Sequence, residues 1–583
     1  MCELAPVPLR SHSPEPPLSF TLTLATNADR EAIYRLRHEV YASELRQHSA
    51  AHEGKLRDPL DDHNIYIVAK SRTDIAGFVS VTPANAPAFS VEKYFSRSEM
   101  PIRFDGKLVE IRLLTVHKKY RGAHLAALLM YAAFRWAESH GAAHVIAIGR
   151  REIRELYERV GLTRIGLSTQ SGEVTYDLMH AQIGDIRKKA SSTFSLLLER
   201  IEESTEWRLS FPFRRPAACF HGGAFFSAIG QRFDSLERQE TVINADVLDA
   251  WFPPSPMVLA ALNNHLSWLL RTSPPAACEG LIETIAAARG VDPANILPGA
   301  GSSDLIFRAF RHWLTPHCHA LILDPTYGEY AHVLEQVIGC TVDRLSLLSE
   351  NDFDVDVHRL KAALADGYDL VVIVNPNSPT GRHMSGKNLE AALRETPSQT
   401  RIWIDETYVE YAGENESLEQ FAAISENVIV CKSMSKVYAL SGARAAYLCA
   451  GPHQLEALRA ITPPWVISLP AQIAGVRALQ DPAYYQLRYK ETAQLRTELA
   501  IEFAQFGWRI VPGMANFLLC QLPSDGPDAA TLVRRSRDYG LFVRDAAGMG
   551  TKMGSHCVRV AVKDRHTNVR MTDILQRVLR TDN

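Results

Sequence analysis

Ile402-Trp-Ile404 is a short apolar run closed by Asp405 and followed by Tyr408, and Val428-Ile-Val430 leads in the same way toward Ser433-Met-Ser-Lys436. Each is too short for a helix and too continuous for a half-exposed strand, so each reads as a strand buried on both faces. Ala320–Leu323, Leu370–Val374 and Ala445–Leu448 are runs of the same kind, and from residue 280 onward they alternate with helical patterns. That alternation predicts a mostly parallel sheet with helices on both faces. From about residue 494 to the end, a smaller α/β domain is expected. Upstream, residues 19–184 read as a separate α/β unit with a mixed sheet: strand Phe20–Leu24, helix Asp29–Leu45, strands Ile65–Ala69, Ala76–Thr82 and Lys107–Val116, helix Ala123–His140, strand His144–Ile148 and helix Arg151–Val160. Residues 1–18, with Pro6, Pro8, Pro14, Pro16 and Pro17, read as a loose leader, and the charged, helix-prone stretch 185–219 as a linker to a second unit at 220–583.

A chain of 583 residues exceeds what one core supports, and about three or four compact units are expected. The formal net charge of -3 offers no basic excess for nucleic acid. The scattered cysteines show neither CxxC spacing nor a His cluster, so no metal site and no disulfide framework are expected. No signal pattern or membrane-length apolar segment is visible, and a cytoplasmic location is expected.

Several motifs converge on one chemistry. Ser433-Met-Ser-Lys436 offers an amine beside two hydroxyls, and Arg444 in Leu440-Ser-Gly-Ala-Arg adds a guanidinium. The amine suits capture of an aldehyde, and the hydroxyls and guanidinium suit a phosphate. Asp405, at the C-terminal end of its strand, can pair with a protonated ring nitrogen, and Tyr408 can donate to a phenolic oxygen. Gly299-Ala-Gly-Ser-Ser-Asp304 precedes a helix, so the amides of Ser302 and Ser303 can cradle a phosphate. Tyr327, in Asp324-Pro-Thr-Tyr-Gly-Glu-Tyr330, can stack on a ring, and Asn375-Pro-Asn-Ser-Pro-Thr-Gly381 forms a loop after a buried strand. Aldehyde, ring nitrogen, phenolic oxygen and phosphate are the parts of pyridoxal 5'-phosphate (PLP).

In this order and spacing these pieces resemble fold type I PLP enzymes of the aminotransferase class I/II superfamily over about residues 220–580, nearest to histidinol-phosphate aminotransferases and threonine-phosphate decarboxylases. The resemblance implies Lys436 as the Schiff-base lysine and Asp405 as partner of the pyridine nitrogen. It also implies Ser433, Ser435 and Arg444 as phosphate ligands, Arg559 in Cys557-Val-Arg-Val-Ala-Val as the arginine for a substrate α-carboxylate, and a homodimer. Two departures stand out. Ser378 replaces the family's asparagine before Pro379, which weakens the expected contact with the phenolic oxygen or shifts it to Asn377, and Leu270-Arg-Thr-Ser-Pro-Pro275 lacks the tyrosine usually donated to the partner subunit. His221-Gly222-Gly223 resembles the His-Gly-Gly with which threonine-phosphate decarboxylases reach a substrate phosphate, and Arg544 is a second basic group for a distal anion. Transamination of an amino acid or amino-acid phosphate is expected, with decarboxylation as the alternative.

In the first unit, Val109-Glu110-Ile-Arg-Leu-Leu-Thr-Val116 leads into Lys118-Lys119-Tyr-Arg121-Gly122-Ala-His124 and an apolar helix, where amides and basic groups can meet a pyrophosphate. Glu155-Leu-Tyr157-Glu-Arg-Val-Gly161 puts a tyrosine just before a glycine stop. The pair resembles GNAT-type acyltransferases, which implies Tyr157 as the acid for the departing thiolate, Glu110 as the base through water, and Lys119, Arg121 and Gly122 as donor ligands. Tyr34-Arg-Leu-Arg37-His-Glu-Val-Tyr41, Glu44, Asp58, Asp61 and Asp62 look similar to the N-acyl amino acid and autoinducer synthase branch, which implies acyl carrier protein as an alternative donor to acyl-CoA. A catalytically silent binding module is the rival reading of this unit.

Overall fold

The structure is a computed structural model that describes residues 19–580 apart from 49–52, 123, 216–218, 220 and 414. The leader read at 1–18 lies outside the described residues. The chain divides into two compact units, Met1–Pro216 and Ala217–Asn583.

The first unit is built on one eight-stranded sheet, in the order Thr163–Ser171, Val174–Gln182, His144–Arg150, Leu108–Val116, Asp74–Thr82, Ile65–Ser71, Phe20–Leu24 and Thr205–Trp207. Neighbours are antiparallel except at two places, Leu108–Val116 beside His144–Arg150 and Phe20–Leu24 beside Thr205–Trp207. The former pairing runs from Leu108 opposite His144 to Glu110 opposite Ile146 and then stops, so the two parallel strands part toward their C-terminal ends. Leu113, at a positive φ of 55°, lies in the stretch of Leu108–Val116 where its register with Asp74–Thr82 shifts. Helix Leu125–Ser139 covers one face, burying Leu125, Leu129, Ala132 and Trp136 against Leu22, Ile67 and Val79.

The stretch expected to be a linker is instead part of this unit. Residues 185–215 contribute to helices Ile183–Ser191 and Ser195–Glu203 and to strand Thr205–Trp207, which extends the sheet beside Phe20–Leu24. Leu198, Ile201, Phe211 and Phe213 are buried in its core, and Phe213 packs against Tyr131 and Trp207 at ring separations of 4.8 and 4.9 Å. The apolar residues on the inner side of a charged stretch supply the drive, because they leave water only by docking on the sheet.

The second unit carries a seven-stranded sheet in the order Ile296–Gly299, Ala446–Cys449, Val428–Ser433, Arg401–Asp405, Leu370–Val374, His319–Asp324 and Thr341–Ser346. Ala446–Cys449 is antiparallel to both neighbours and the other pairings are parallel. The strands alternate sides: Ile402 and Ile404 face one core with Leu281, Ile285 and Leu389, whereas Trp403 faces the other with Ile306 and Phe310. A second, antiparallel sheet of Arg509–Val511, Phe517–Gln521, Cys557–Ala561 and Arg544–Asp545 packs with helices Pro482–Ala504, Ala529–Asp538 and Arg565–Arg580. Ile243–Asn244 pairs in parallel with Leu541–Phe542, so the start of the unit is bound to its C-terminal domain and carries Asp246 and Asp249 with it. Among the described residues, no helix is long and apolar enough to cross a membrane.

Candidate functional site

Lys436 sits on the short helix Met434–Val437, directly after strand Val428–Ser433. Its Nζ donates to Asp249 Oδ1 at 2.9 Å and to Ser441 Oγ at 3.4 Å. Burial lowers the pKa of its amine, an effect that Asp249 opposes and that Arg559 and Arg444 reinforce. Ser433 and Ser435 are buried beside it, and Ser433 Oγ caps the helix by accepting from the Ser435 amide. Arg444 adopts a left-handed φ of 57° and lays its guanidinium over Gly301, where a Cβ would come within 2.3 Å of Nη2. Only a residue without a side chain admits the guanidinium so close, and Gly301 with its φ of 92° is also where helix Ser302–Trp313 starts. The Lys436 turn and the free amides of Ser302 and Ser303 therefore form one cradle.

Asp405 ends its strand fully inside the protein. It accepts from Tyr330 Oη at 2.7 Å, from the Thr407 amide at 3.0 Å and from Thr407 Oγ1 at 2.6 Å, and Trp403 Nε1 in turn donates to Tyr330 Oη at 2.9 Å. Burial raises the Asp405 carboxyl pKa, with nearby Glu329 adding to the rise. Tyr408 is buried edge-on against Phe517, and burial raises its phenol pKa. Glu329, 1% exposed, accepts on Oε2 from Ser303 Oγ at 2.9 Å and Tyr327 Oη at 3.1 Å, and His221 Nε2 lies 2.9 Å from the same oxygen. Asn377 uses its whole amide inside its own loop and the neighbouring one, through Thr326, Pro325 and Thr380.

Ser378 has another task. Its Oγ accepts from Arg559 Nη1 at 3.0 Å, and Arg559 Nη2 donates to the Asp246 carbonyl at 3.1 Å. Arg559 is 5% exposed, stands over the Phe517 ring, and has its pKa pulled down to about 10 by burial. Its Nε has no hydrogen-bond partner, and among the described residues no carboxylate lies within 4.0 Å of the guanidinium. Arg544 lies directly across the ladder from Arg559, and its charge is met by Asp246 Oδ1 at 2.6 Å. Gly222 is pressed onto this pair, so that a Cβ would come within 2.6 Å of Arg544 Nη2 and 2.7 Å of Asp246 Oδ2.

In the first unit Glu110 is 0% exposed and accepts from the Ser90 amide at 2.7 Å, the Val91 amide at 3.1 Å, Thr82 Oγ1 at 3.2 Å and the Ser90 hydroxyl. This carboxylate is occupied in anchoring the turn Ser90–Lys93. Tyr157, on helix Arg154–Arg159, lies over Gly149 of strand His144–Arg150, and burial pushes its phenol up to about 12, with Tyr41 next in effect. Arg37 is fully buried and forms a bidentate pair with Asp61 at 3.1 and 3.0 Å, closed by Tyr66. Asp58 binds Arg112 at 2.8 Å and Lys93 at 2.7 Å; although burial opposes ionisation, these cations hold its carboxyl well below the usual range. Asp62 is exposed. In the loop before helix Leu125–Ser139, the Lys119 amide donates to His117 Nδ1 and Arg121 pairs with Glu44 at 2.6 Å. Gly122 and His124 take positive φ values of 92° and 55°.

Residues 254–578 match the family aminotransferase class I and II. The chain belongs to this family. The aminotransferase region is 27% identical over 320 residues to a histidinol-phosphate aminotransferase of Rhodopseudomonas palustris (strain BisA53), covering 54% of this chain and 86% of that one. It shares its fold with the histidinol-phosphate aminotransferase of Sinorhizobium meliloti in complex with pyridoxal-5'-phosphate, at a TM-score of 0.54 and 24% identity over 64% of this chain and 96% of that one. The L-threonine-O-3-phosphate decarboxylase of Porphyromonas gingivalis has the same fold, at a TM-score of 0.51 and 20% identity over 58% of this chain and 100% of that one. Residues 32–182 match the family N-acyl amino acid synthase FeeM. The chain is thus a bifunctional PLP-dependent transferase with an N-terminal acyltransferase domain.

The aminotransferase site fits this cofactor on its own chemistry. A buried amine can take the aldehyde, and glycine at residue 301 lets the Arg444 guanidinium close against the N-terminus of helix Ser302–Trp313, so that a cation and free helix amides stand together as a phosphate requires. A buried carboxylate with a raised pKa is relieved by a cationic ring nitrogen. Asp246, Asp249, Glu329, Tyr330 and Lys563 were not singled out from the sequence. Asp246 and Asp249 did leave a sign there: two acids three apart in an otherwise apolar segment, Ala245-Asp-Val-Leu-Asp249.

Proposed function

We propose that the aminotransferase unit transaminates an amino acid or amino-acid phosphate whose α-carboxylate binds Arg559, and that the N-terminal unit acylates an amine. The supporting observation is Arg559 itself: a buried guanidinium with an unbonded Nε and no carboxylate within 4.0 Å among the described residues. A cation left so is costly until an anion arrives. Lys436 Nζ holds the cofactor and carries the α-proton; Asp405 keeps the ring nitrogen protonated with Tyr330 behind it, and Tyr408 serves the phenolic oxygen. Ser302, Ser303, Ser433, Ser435 and Arg444 take the phosphate, and Tyr327 the ring face. Bound PLP supplies an electron sink for the charge left at the α-carbon. Asn377, committed to its own loops, acts by shaping the pocket, and Ser378 positions Arg559.

Decarboxylation remains the second reading, favoured by the packing of Gly222, next to His221, on Arg544, which suits a substrate with a distal anion. Asp246 already balances Arg544, so the carboxylate site at Arg559 carries the first reading further. In the first unit Tyr157 is the acid for the thiolate, and Lys119, Arg121 and Gly122 meet the donor, acyl-CoA or acyl carrier protein. Glu110 is better placed to anchor the Ser90 turn than to act as base. The exposed Leu259, Leu266, Trp268 and Leu270 of helix Pro256–Arg271 suit a homodimer, and the free cysteines suit the cytoplasm.

Mass spectrometry of products from a panel of amino acids, with and without a 2-oxo acid and acyl donors, tests the reading. A 2-oxo acid formed without carbon dioxide supports transamination, and carbon dioxide release supports the second reading. Absence of thioester consumption in every mixture would leave the first unit a silent module.

A further inference from the structure

Asp249 is absent from every motif that the family resemblance supplied, yet it makes the shortest polar contact of Lys436, 2.9 Å from Oδ1 to Nζ. It reaches the site because Ile243–Asn244 is tied to Leu541–Phe542 in the C-terminal domain. Lys563 follows strand Cys557–Ala561 by two residues, in phase with Arg559 along the chain, and its Nζ donates to the Asp249 carbonyl at 3.3 Å. Among the described residues Lys563 has no carboxylate within 4.0 Å. Two amines therefore share one carboxylate-bearing residue: Lys436 takes its side chain and Lys563 its backbone.

We propose that Asp249 is a positioning residue for Lys436, holding the Nζ proton in the productive direction, and that Lys563 braces Asp249 while limiting its pull. The inference rests on Lys436 being the cofactor lysine. When Lys436 takes the substrate α-proton, the C–H bond breaks, its electron pair stays with the substrate, and Nζ becomes an ammonium facing Asp249. The carboxylate stabilises that ammonium and so strengthens the amine as a base against burial, Arg559 and Arg444, which all weaken it. Lys563 is a like charge within range of Lys436, and burial pulls it down to about 8, so its influence fades above that pH. Tyr408, Ser441 and Asn244 also face Asp249, and Asp564 faces Lys563.

The test is the pH midpoint of the visible band of the PLP holoenzyme, read spectrophotometrically. Asp249→Asn should lower the midpoint by about 1–2 pH units, as expected on losing an adjacent opposite charge. Asp249→Glu should restore most of it, and Lys563→Met should leave it in place or raise it, because a repelling charge has gone. A merely structural role predicts movement in the same direction for both residues. An unshifted Asp249→Asn midpoint, or a fall in Lys563→Met to match, would overturn the proposal. If Asp249→Asn retains no cofactor, competitive acetylation of Lys436 against pH decides instead: a lowered amine midpoint supports it and an unchanged one overturns it. A wild-type protein without a visible band, or a band that survives Lys436→Ala, would instead overturn the cofactor reading and this inference with it.

Discussion

Arg559→Ala should separate substrate binding from cofactor binding. The side chain spends Nη1 on Ser378 and Nη2 on the Asp246 carbonyl, which leaves Nε unbonded, and among the described residues no carboxylate lies within 4.0 Å of the guanidinium. Loss of a buried charge-assisted contact costs about 2–5 kcal/mol. At about 1.4 kcal/mol per decade, the apparent amino-acid constant should rise by roughly one and a half to three and a half powers of ten. Arg559→Lys keeps the charge but not the fork, so it too should bind substrate more weakly than wild type, though less severely than alanine. PLP affinity should hardly change, because the phosphate ligands are elsewhere. Titration of the visible band, first with PLP and then with amino acid, yields both constants. A variant that lost cofactor but kept its substrate constant would refute the assignment and make Arg544 the carboxylate anchor to examine.

Asp405→Asn should keep the fold and the visible band while cutting turnover by about 10²–10⁴, measured as initial rate; wild-type turnover would remove Asp405 from the chemistry. Phe213→Ala should destabilise the acyltransferase unit by about 3–5 kcal/mol, read from its thermal or denaturant transition, because the ring fills a core that includes Tyr131 and Trp207. Tyr157→Phe should retain the fold and lose thioester release by about 10²–10⁴, as for removal of a general acid. Glu110→Gln should show the reverse pattern, with stability falling before catalysis, checked by melting and thiol release on the same samples.

Much of the PLP unit is legible from the sequence because its functional groups sit at the ends of buried strands. An apolar run that closes on Asp405, or on Ser433 and then Lys436, announces both the strand and the site it points to. Groups that act across long sequence distances left little trace: Asp249 meets Lys436 only because a two-residue strand pairs with Leu541–Phe542. Glu329 was hidden for a different reason, since three contacts on one buried carboxylate are invisible until a turn, a helix start and His221 meet. Charge misled at 185–215, where exposed Lys, Arg and Glu masked Leu198, Phe211 and Phe213, and the segment proved to complete a sheet. Glu110 shows the limit of position alone: it lies on the expected central strand, but the Ser90 turn takes up its oxygens.

Three lysines compete for the central role, since Lys432, on the preceding strand Val428–Ser433, is buried among Glu406, Glu410 and Glu419, and Lys563 shares Asp249 with Lys436. Borohydride reduction of the full-length holoenzyme, followed by peptide mass spectrometry, distinguishes them in one measurement. The reduced pyridoxyl group is expected on Lys436 and nowhere else. Its appearance on Lys563 or Lys432 would contradict the assignment on which the rest of the site is built.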